Sequence, residues 1–426
     1  MARSAPAARG VVFADGVRTP FGRARPDGLH AGTRADDLVV ACLRELLRRN
    51  PSLPPERVEE VAVAAATQSG DQGLVLGRSA ALLAGLPVST PGYAVDRWCA
   101  GAVTAVTTVA ACIAVGALDV ALAGGVEHMG RHPLGQGLDP NPRFLAERLV
   151  DADALDMGRT AEALHDRSPA LTRRRTDEYA AASQRKFAAA VAAGRIGADL
   201  VPVATSVAGR GWGLATADEL ARPDTTVEAL AGLRTPFRPH GRVTAGNASP
   251  LTDGATACLL AEEGTAAELG LSARMRLVGF AHAGVEPGVM GLGPIPSTEK
   301  ALARAGLTIE DIGLFELNEA FAVQVLAFLD HFGLADDDER VNPYGGAIAI
   351  GHPLAASGVR LMTQLARQFA EHPEVRYGLT ALCVGLGQGA TVLWENPHHA
   401  EYEPTAASAT TASATTASAT TDGEAR

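Results

Sequence analysis

Aromatic residues are scarce, at 4% of 426 residues. The core must therefore be built mainly from Ala, Val and Leu, within a 47% hydrophobic total that is ordinary for a globular chain. Cysteine is scarce too. Its five copies, at positions 42, 99, 112, 258 and 383, include no C-x-x-C pair. That excludes a zinc site of the usual spacing and a disulfide framework, and it points to free thiols in a reducing, cytoplasmic compartment. Lys/Arg-dense runs are absent and the net charge is −11, so nucleic acid is excluded as a general partner. The opening MARSAPAARGVVFADG lacks a long apolar core, so no secretory leader is expected. The most apolar stretch, AVTAVTTVAACIAVGAL (102–118), is near the lower length limit for a membrane span. Its Thr and Ala content and its polar flanks predict a helix buried in a core instead, with no membrane span.

What is present is an alternation. GVVFADGVRTPFG reads as a buried strand entering a Gly/Pro loop. ADDLVVACLRELLRRN (35–50) reads as an amphipathic helix and VEEVAVAAATQ (58–68) as a strand. GRSAALLAGL, GYAVDRW, the buried helix over 100–117 and DVALAGGVEHM (119–129) continue the pattern. It implies an α/β fold with a mostly parallel sheet covered on both faces. From about 130 to 250 the chain is richer in Arg, Asp and Pro, with one clear helix over 172–194. The alternation resumes at SPLTDGATACLLAEEG and runs to ATVLWEN, repeating the organisation of the first half. The expected division is 10–129 with 251–273, an insertion over 130–250, a second half over 274–397, and a tail over 398–426. The tail repeats ASATT three times, has no large apolar residue over that repeat, and reads as disordered.

Two cysteines stand out, each with glycine two residues on. Cys99 lies between a strand and the start of the buried helix. A helix start offers free N–H groups that favour a thiolate nucleophile; a merely packed thiol is the other reading. Cys383 precedes G-x-G-x-G. With no Lys-Ser/Thr following, a phosphate loop is disfavoured, which leaves a thiol facing a glycine-lined cavity or a tight turn. Cys42, Cys112 and Cys258 sit inside apolar patterns and read as packing. In NPYGGAIAIGHPLAASG (342–358), His352 stands in a small-residue loop leading into a helix, with Pro353 suited to that helix's first turn. A histidine there can act as a base near neutral pH. Asn318 of FELNEAF reads either as a helix N-cap or as a holder of a water or oxyanion. TAGNASPLTDGA (244–255) suits either a turn or an extended ligand.

Together these segments resemble the thiolase family over about 10–396. RTPFG, the Cys99 region, GGVEHM, MGRTAE, VTAGNAS, GPIPSTEKAL, NEAF, GGAIAIGHPLAASG and CVGLGQG follow one another in the family's order. The nearest look is to the thiolase subunit of bacterial fatty-acid β-oxidation complexes. The resemblance implies two similar βαβαβαββ halves in five layers, α-β-α-β-α, with an inserted loop domain. It implies coenzyme A as a substrate, acyl-CoA as its partner in reaction, and no permanently bound cofactor or metal. Cys99 would be the acylated nucleophile, His352 its activating base and Cys383 the general acid/base. Asn318, with a water and His352, would form one oxyanion hole; the N–H groups of Cys99 and Gly385 would form the other. Ser249 and Met157 would lie along the pantetheine, and Arg222 near the nucleotide end. Family habit implies a homodimer or homotetramer and extends to a multifunctional β-oxidation subunit.

The sequence departs from the family beside the nucleophile. Asp96-Arg97-Trp98-Cys99-Ala100-Gly101 stands where the usual pattern is Asn-Arg-x-Cys followed by Ser-rich small residues. A carboxylate at 96 would oppose thiolate formation if it faced the site, unless Arg97 paired with it. Gly101 is expected to widen the pocket. Asp156 stands where short-chain biosynthetic members carry His before Met-Gly, which argues against a dedicated acetoacetyl-CoA enzyme. Three readings follow: an active thiolase, a specialised condensing acyltransferase with another acceptor, and a non-catalytic assembly partner.

Overall fold

The computed structural model describes residues 8–207 and 211–401. The first half holds β1 (Val11–Arg18), β2 (Gly22–Arg23), α1 (Ala35–Arg49), β3 (Glu60–Ala64), α2 (Leu76–Ala84), β4 (Gly92–Val95), α3 (Gly101–Ala114) and β5 (Val120–His128). Then come α4 (Arg143–Ala146), α5 (Met157–Arg167), α6 (Arg173–Ala192), β6 (Val203–Val207), β7 (Gly211–Ala215) and α7 (Val227–Ala231), before β8 (Thr252–Glu262) and α8 (Glu263–Glu268). The second half holds β9 (Met275–Gly284), α9 (Pro294–Ala305), β10 (Ile312–Leu317), α10 (Ala322–Phe332), α11 (Ala347–Ile350), α12 (Ser357–Glu371), β11 (Tyr377–Val384) and β12 (Gln388–Glu395). Of the expected tail, 398–401 falls within a closing turn, Pro397–Glu401; 402–426 lies outside the described residues.

Both halves use one strand plan. In the first the order is β4-β3-β5-β8-β1, with β4, β3 and β5 parallel and β8 antiparallel to both β5 and β1. In the second it is β10-β11-β12-β9, with β10 parallel to β11 and β12 antiparallel to both β11 and β9. A parallel bridge from Phe315 to Val341 extends the second order as β4 extends the first. The halves meet where Val12 and Phe13 of β1 pair antiparallel with Arg276 and Met275 of β9. The sheet is thus mixed, against the expectation of mostly parallel pairing. Local alternation reports which faces are buried and not which strands are neighbours. The three-residue connection between β11 and β12 can only give an antiparallel pair.

The layers follow from where apolar residues fall. On α1, buried Leu38, Val39, Cys42, Leu43 and Leu46 form one stripe against the outer face of the first sheet, and Asp36, Asp37 and Arg48, Arg49 complement the helix dipole. On α3 ten of the fourteen residues are buried, because α3 and α12 fill the space between the two sheets. The apolar 102–118 stretch therefore belongs to a core helix, and among the described residues no helix is long and apolar enough to cross a membrane. α9 and α10 cover the far side of the second sheet. The result is the expected α-β-α-β-α order, with α3 and the loop before α12 facing each other in the middle layer.

Candidate active site

Cys99 lies in a single 3-10 turn, Trp98–Ala100, that leads into α3. Trp98 takes φ +44°, a left-handed conformation that a bulky residue adopts only under constraint. Part of that constraint is Asp96, whose Oδ1 accepts the Trp98 N–H at 2.8 Å. Asp96 therefore shapes the Cys99 turn, and no ion pair joins it to Arg97 among the described residues. Its charge still raises the Cys99 pKa, as the last of several influences.

Cys99 is 7% exposed. Burial pushes its thiol up to about 12, and the neighbouring backbone N–H groups of Gly385 and of Cys99 itself act the other way. Gly385 opens the β11–β12 turn, directly after Cys383 and Val384. A Cβ at 385 would meet Trp98 Cε3 at 2.6 Å and Met157 Sδ at 3.4 Å. Glycine is needed there because the turn approaches the Trp98 ring closely. The phosphate-loop pattern of the G-x-G-x-G run is in fact a strand turn, with Leu386 and Gly387 left-handed. Cys383 is buried beside Cys99; burial and an ionised Cys99 both push its thiol upward.

His352 is 4% exposed. Its Nδ1 lies 2.5 Å from Ser357 Oγ, its Nε2 lies 3.3 Å from Asn318 Nδ2, and its N–H donates to Thr252 Oγ1 at 3.1 Å. Ser357 Oγ also reaches Pro353 O at 3.4 Å. With the hydroxyl donating to that carbonyl, Ser357 accepts the Nδ1–H and leaves Nε2 as the basic nitrogen. Burial first, and then the charge of Arg360, pull the imidazole down to about 3, so it rests neutral. Asn318 is fully buried. It does not cap a helix, since the N-cap of α10 is Phe321. Its Oδ1 has no protein partner. Pro353 likewise precedes α12 by a separate 3-10 turn, Leu354–Ala356, instead of opening the helix.

Gly101 does not widen the pocket. A Cβ there would lie 2.8 Å from Ala64 Cβ and 2.9 Å from Ala355 Cβ, so α3 packs directly on the turn after His352. Buried Glu127 ties the same parts together: its carboxylate accepts the N–H groups of Ala66, Thr67 and Ala355 at 3.0, 3.3 and 3.4 Å. Of the remaining candidates, Ser249 is fixed by Ala320 O, which accepts both its N–H at 3.0 Å and its hydroxyl at 3.1 Å. Met157 begins α5, capped by Asp156, whose Oδ1 accepts the Gly158 and Arg159 N–H groups. Arg222 is exposed at the surface, its N–H donating to Gln184 Oε1 at 2.8 Å, and among the described residues no hydrogen bond links it to the cysteines. Sequence reasoning missed Ser357 and Thr252. The signal for Ser357 was its place one turn beyond His352.

Comparison with known proteins shows the family and the fold. Residues 11–264 match the family model for the thiolase N-terminal domain and 271–396 that for the C-terminal domain. A 3-ketoacyl-CoA thiolase of Photobacterium profundum is 43% identical over 387 residues, covering 90% of this chain and 99% of its own. One from Pseudoalteromonas translucida is 44% identical over 389 residues, covering 90% and 98%. The crystal structure of human mitochondrial 3-ketoacyl-CoA thiolase superposes with a TM-score of 0.82 at 33% identity, over 91% of this chain and 99% of that one. A Bacillus anthracis acetyl-CoA acetyltransferase gives 0.80 at 34% identity, over 92% and 99%. Two matched halves, one strand plan used twice and two cysteines meeting between them lead to one conclusion: this chain belongs to the thiolase family.

Proposed function

We infer that this chain is an acetyl-CoA acyltransferase that cleaves 3-ketoacyl-CoA with coenzyme A, yielding acetyl-CoA and a shortened acyl-CoA, in fatty-acid β-oxidation. The observation that carries this reading is the packing of the Cys99 turn, Trp98–Ala100, against both the end of β11 that bears Cys383 and the Leu354–Ala356 turn that follows His352. Cys99 gives its proton to His352 Nε2 and attacks the C3 carbonyl. The C2–C3 bond then breaks, the acyl group stays on sulfur, and the departing enolate takes a proton from Cys383. Coenzyme A next gives its thiol proton to the Cys383 thiolate and attacks the acyl-sulfur carbonyl. Cys99 leaves as thiolate and recovers its proton from His352. Each carbonyl oxygen gains charge in passing and needs fixed donors. The Cys99 and Gly385 N–H groups serve one oxygen. A water on the free Asn318 Oδ1, together with His352, serves the other.

Coenzyme A is a substrate here, bound along Ser249 and Met157 with Arg222 toward its nucleotide end. The division into halves 10–129 with 251–273 and 274–397, with 130–250 inserted, suits a site assembled from both. A homodimer is supported by β4, an edge strand unpaired on one side, flanked by exposed Leu74, Val75 and Val88. Five free cysteines support a reducing cytoplasmic setting. The test is to incubate with acetyl-CoA or a 3-ketoacyl-CoA panel, quench in acid and measure peptide mass. The expected result is an acyl group on Cys99 that coenzyme A removes and Cys99→Ala abolishes. Folded protein with no adduct from any of these substrates would refute the reading; condensation products with another acceptor would redirect it.

A further inference from the structure

Arg360 is 1% exposed and Glu316 fully buried. The Arg360 Nη1 lies 3.5 Å from Glu316 Oε2 and donates to Gln364 Oε1 at 2.8 Å, while Nε and Nη2 have no acceptor among the described residues. Glu316 Oε1 in turn accepts from Gln368 Nε2 at 2.6 Å. A guanidinium with two unmet nitrogens and one long contact is poorly neutralised, so its field extends into its surroundings. The pair joins β10 to α12. The two side chains that grip the imidazole of His352 stand beside this pair: Asn318, the residue just beyond β10 and two along the chain from Glu316, and Ser357 of α12, one helical turn before Arg360.

We propose that Arg360, with Glu316 as its counter-ion, is a positioning residue that holds the Cys99–His352 pair in its uncharged thiol–imidazole form between turnovers. This rests on the reading of Cys99 as nucleophile and His352 as base. A fixed cation behind the imidazole opposes imidazolium, and therefore opposes transfer of the Cys99 proton until a substrate carbonyl is in place to accept the charge. The direction agrees with Arg360 as the second cause, after burial, of the depressed His352 basicity. Other charged groups in the neighbourhood are Glu127 and Asp96 on the Cys99 side, and Glu319 and the Arg18–Asp218 pair on the Arg360 side. Asp218 is paired with Arg18 at 2.6 Å, and the Glu319 carboxylate is engaged by Ser183, Tyr179 and Asn342.

The experiment is the rate of Cys99 alkylation by iodoacetamide, followed by peptide mass in the full-length protein at pH 7 and 9. The charge-free pair Arg360→Met/Glu316→Gln should alkylate faster than wild type, by about tenfold for each unit gained in His352 basicity. Arg360→Lys, which keeps the cation, should remain near wild type. At pH 9 Glu316, pushed up to about 7 by burial, is ionised in the wild type. Glu316→Gln, of matching shape, should therefore slow alkylation there. A purely structural joint would make every variant slower. Slower or unchanged alkylation in the charge-free pair, or in its absence from the folded fraction an unslowed Glu316→Gln, overturns the proposal. A wild-type Cys99 no more reactive than Cys258 would instead sink the nucleophile assignment beneath it.

Discussion

Replacing Gly385 by Ala puts a single methyl where the structure has least room for it. The new Cβ would sit 2.6 Å from Trp98 Cε3 and 3.0 Å from Cζ3, against an ordinary contact of at least 3.4 Å. The ring or the β11–β12 turn must then separate by about 0.8 Å. The ring cannot yield freely: Trp98 is already left-handed and its N–H is tied to Asp96. The turn therefore moves, and with it the Gly385 N–H that lowers the Cys99 pKa. Overpacking of this kind costs about 1–3 kcal/mol of stability. Loss of one oxyanion donor costs about 10²–10³ in rate. Single-turnover acylation with a 3-ketoacyl-CoA measures the rate, and a thermal melt measures stability separately. The expected variant is folded, somewhat less stable, and slower in acylation by at least about a hundredfold. A folded Gly385→Ala protein that acylates within about threefold of wild type would refute the reasoning, because the N–H would then be dispensable or the turn free to adapt.

Cys383→Ala should still acquire an acetyl group on Cys99 from acetyl-CoA, where no carbon leaving group needs a proton. Thiolysis of 3-ketoacyl-CoA should fall by about 10²–10⁴; equal loss of both activities would contradict the division of labour between the sulfurs. Asp96→Asn keeps an oxygen to accept the Trp98 N–H and removes a charge that raises the Cys99 pKa. The pH midpoint of Cys99 alkylation should move down, and an upward or absent shift would count against the assignment. Asp253 is buried facing His128 at 3.3 Å, and burial raises its carboxyl from 3.8 to about 7. A raised carboxyl stabilises the fold below its ordinary pKa, and that contribution is lost as pH rises from about 4 to 7. The melting temperature of Asp253→Asn relative to wild type should therefore climb across that window, by the equivalent of a few kcal/mol. A flat difference would show that the carboxyl is not destabilised by burial.

Much of this was legible in the sequence because the site is written in local patterns. Glycines beside Cys383 and small residues around His352 signal close backbone approach, and the α/β alternation located nearly every strand and helix of the two halves. Strand direction was not legible, since the pairing of β8 with β1 and β5 joins residues more than a hundred positions apart. Asn318 was ambiguous because an Asn before a helix reads as a cap. The structure instead starts α10 after Phe321, leaving the amide free for His352. Gly101 was misread as loosening the pocket because sequence gives a residue's size without its neighbour's distance. Arg360, Gln364 and Gln368 were visible as a polar stripe at four-residue spacing on α12. A polar stripe normally marks solvent, and only the second sheet, closing over it, makes it a core feature.

The close contact of Gly101 with Ala355 also constrains the order in which the sequence can change. A serine at 101, the kind of residue the family pattern carries there, would bring its Cβ to 2.9 Å from the Ala355 methyl and 2.8 Å from Ala64. Taken as a first step, Gly101→Ser is blocked; after Ala355→Gly, half of that obstruction is gone. The two positions are 254 residues apart in the chain, yet bulk at one is limited by bulk at the other. Bulk added on one side of the middle layer therefore has to be removed on the other, so the glycine after Cys99 is set by the turn that follows His352.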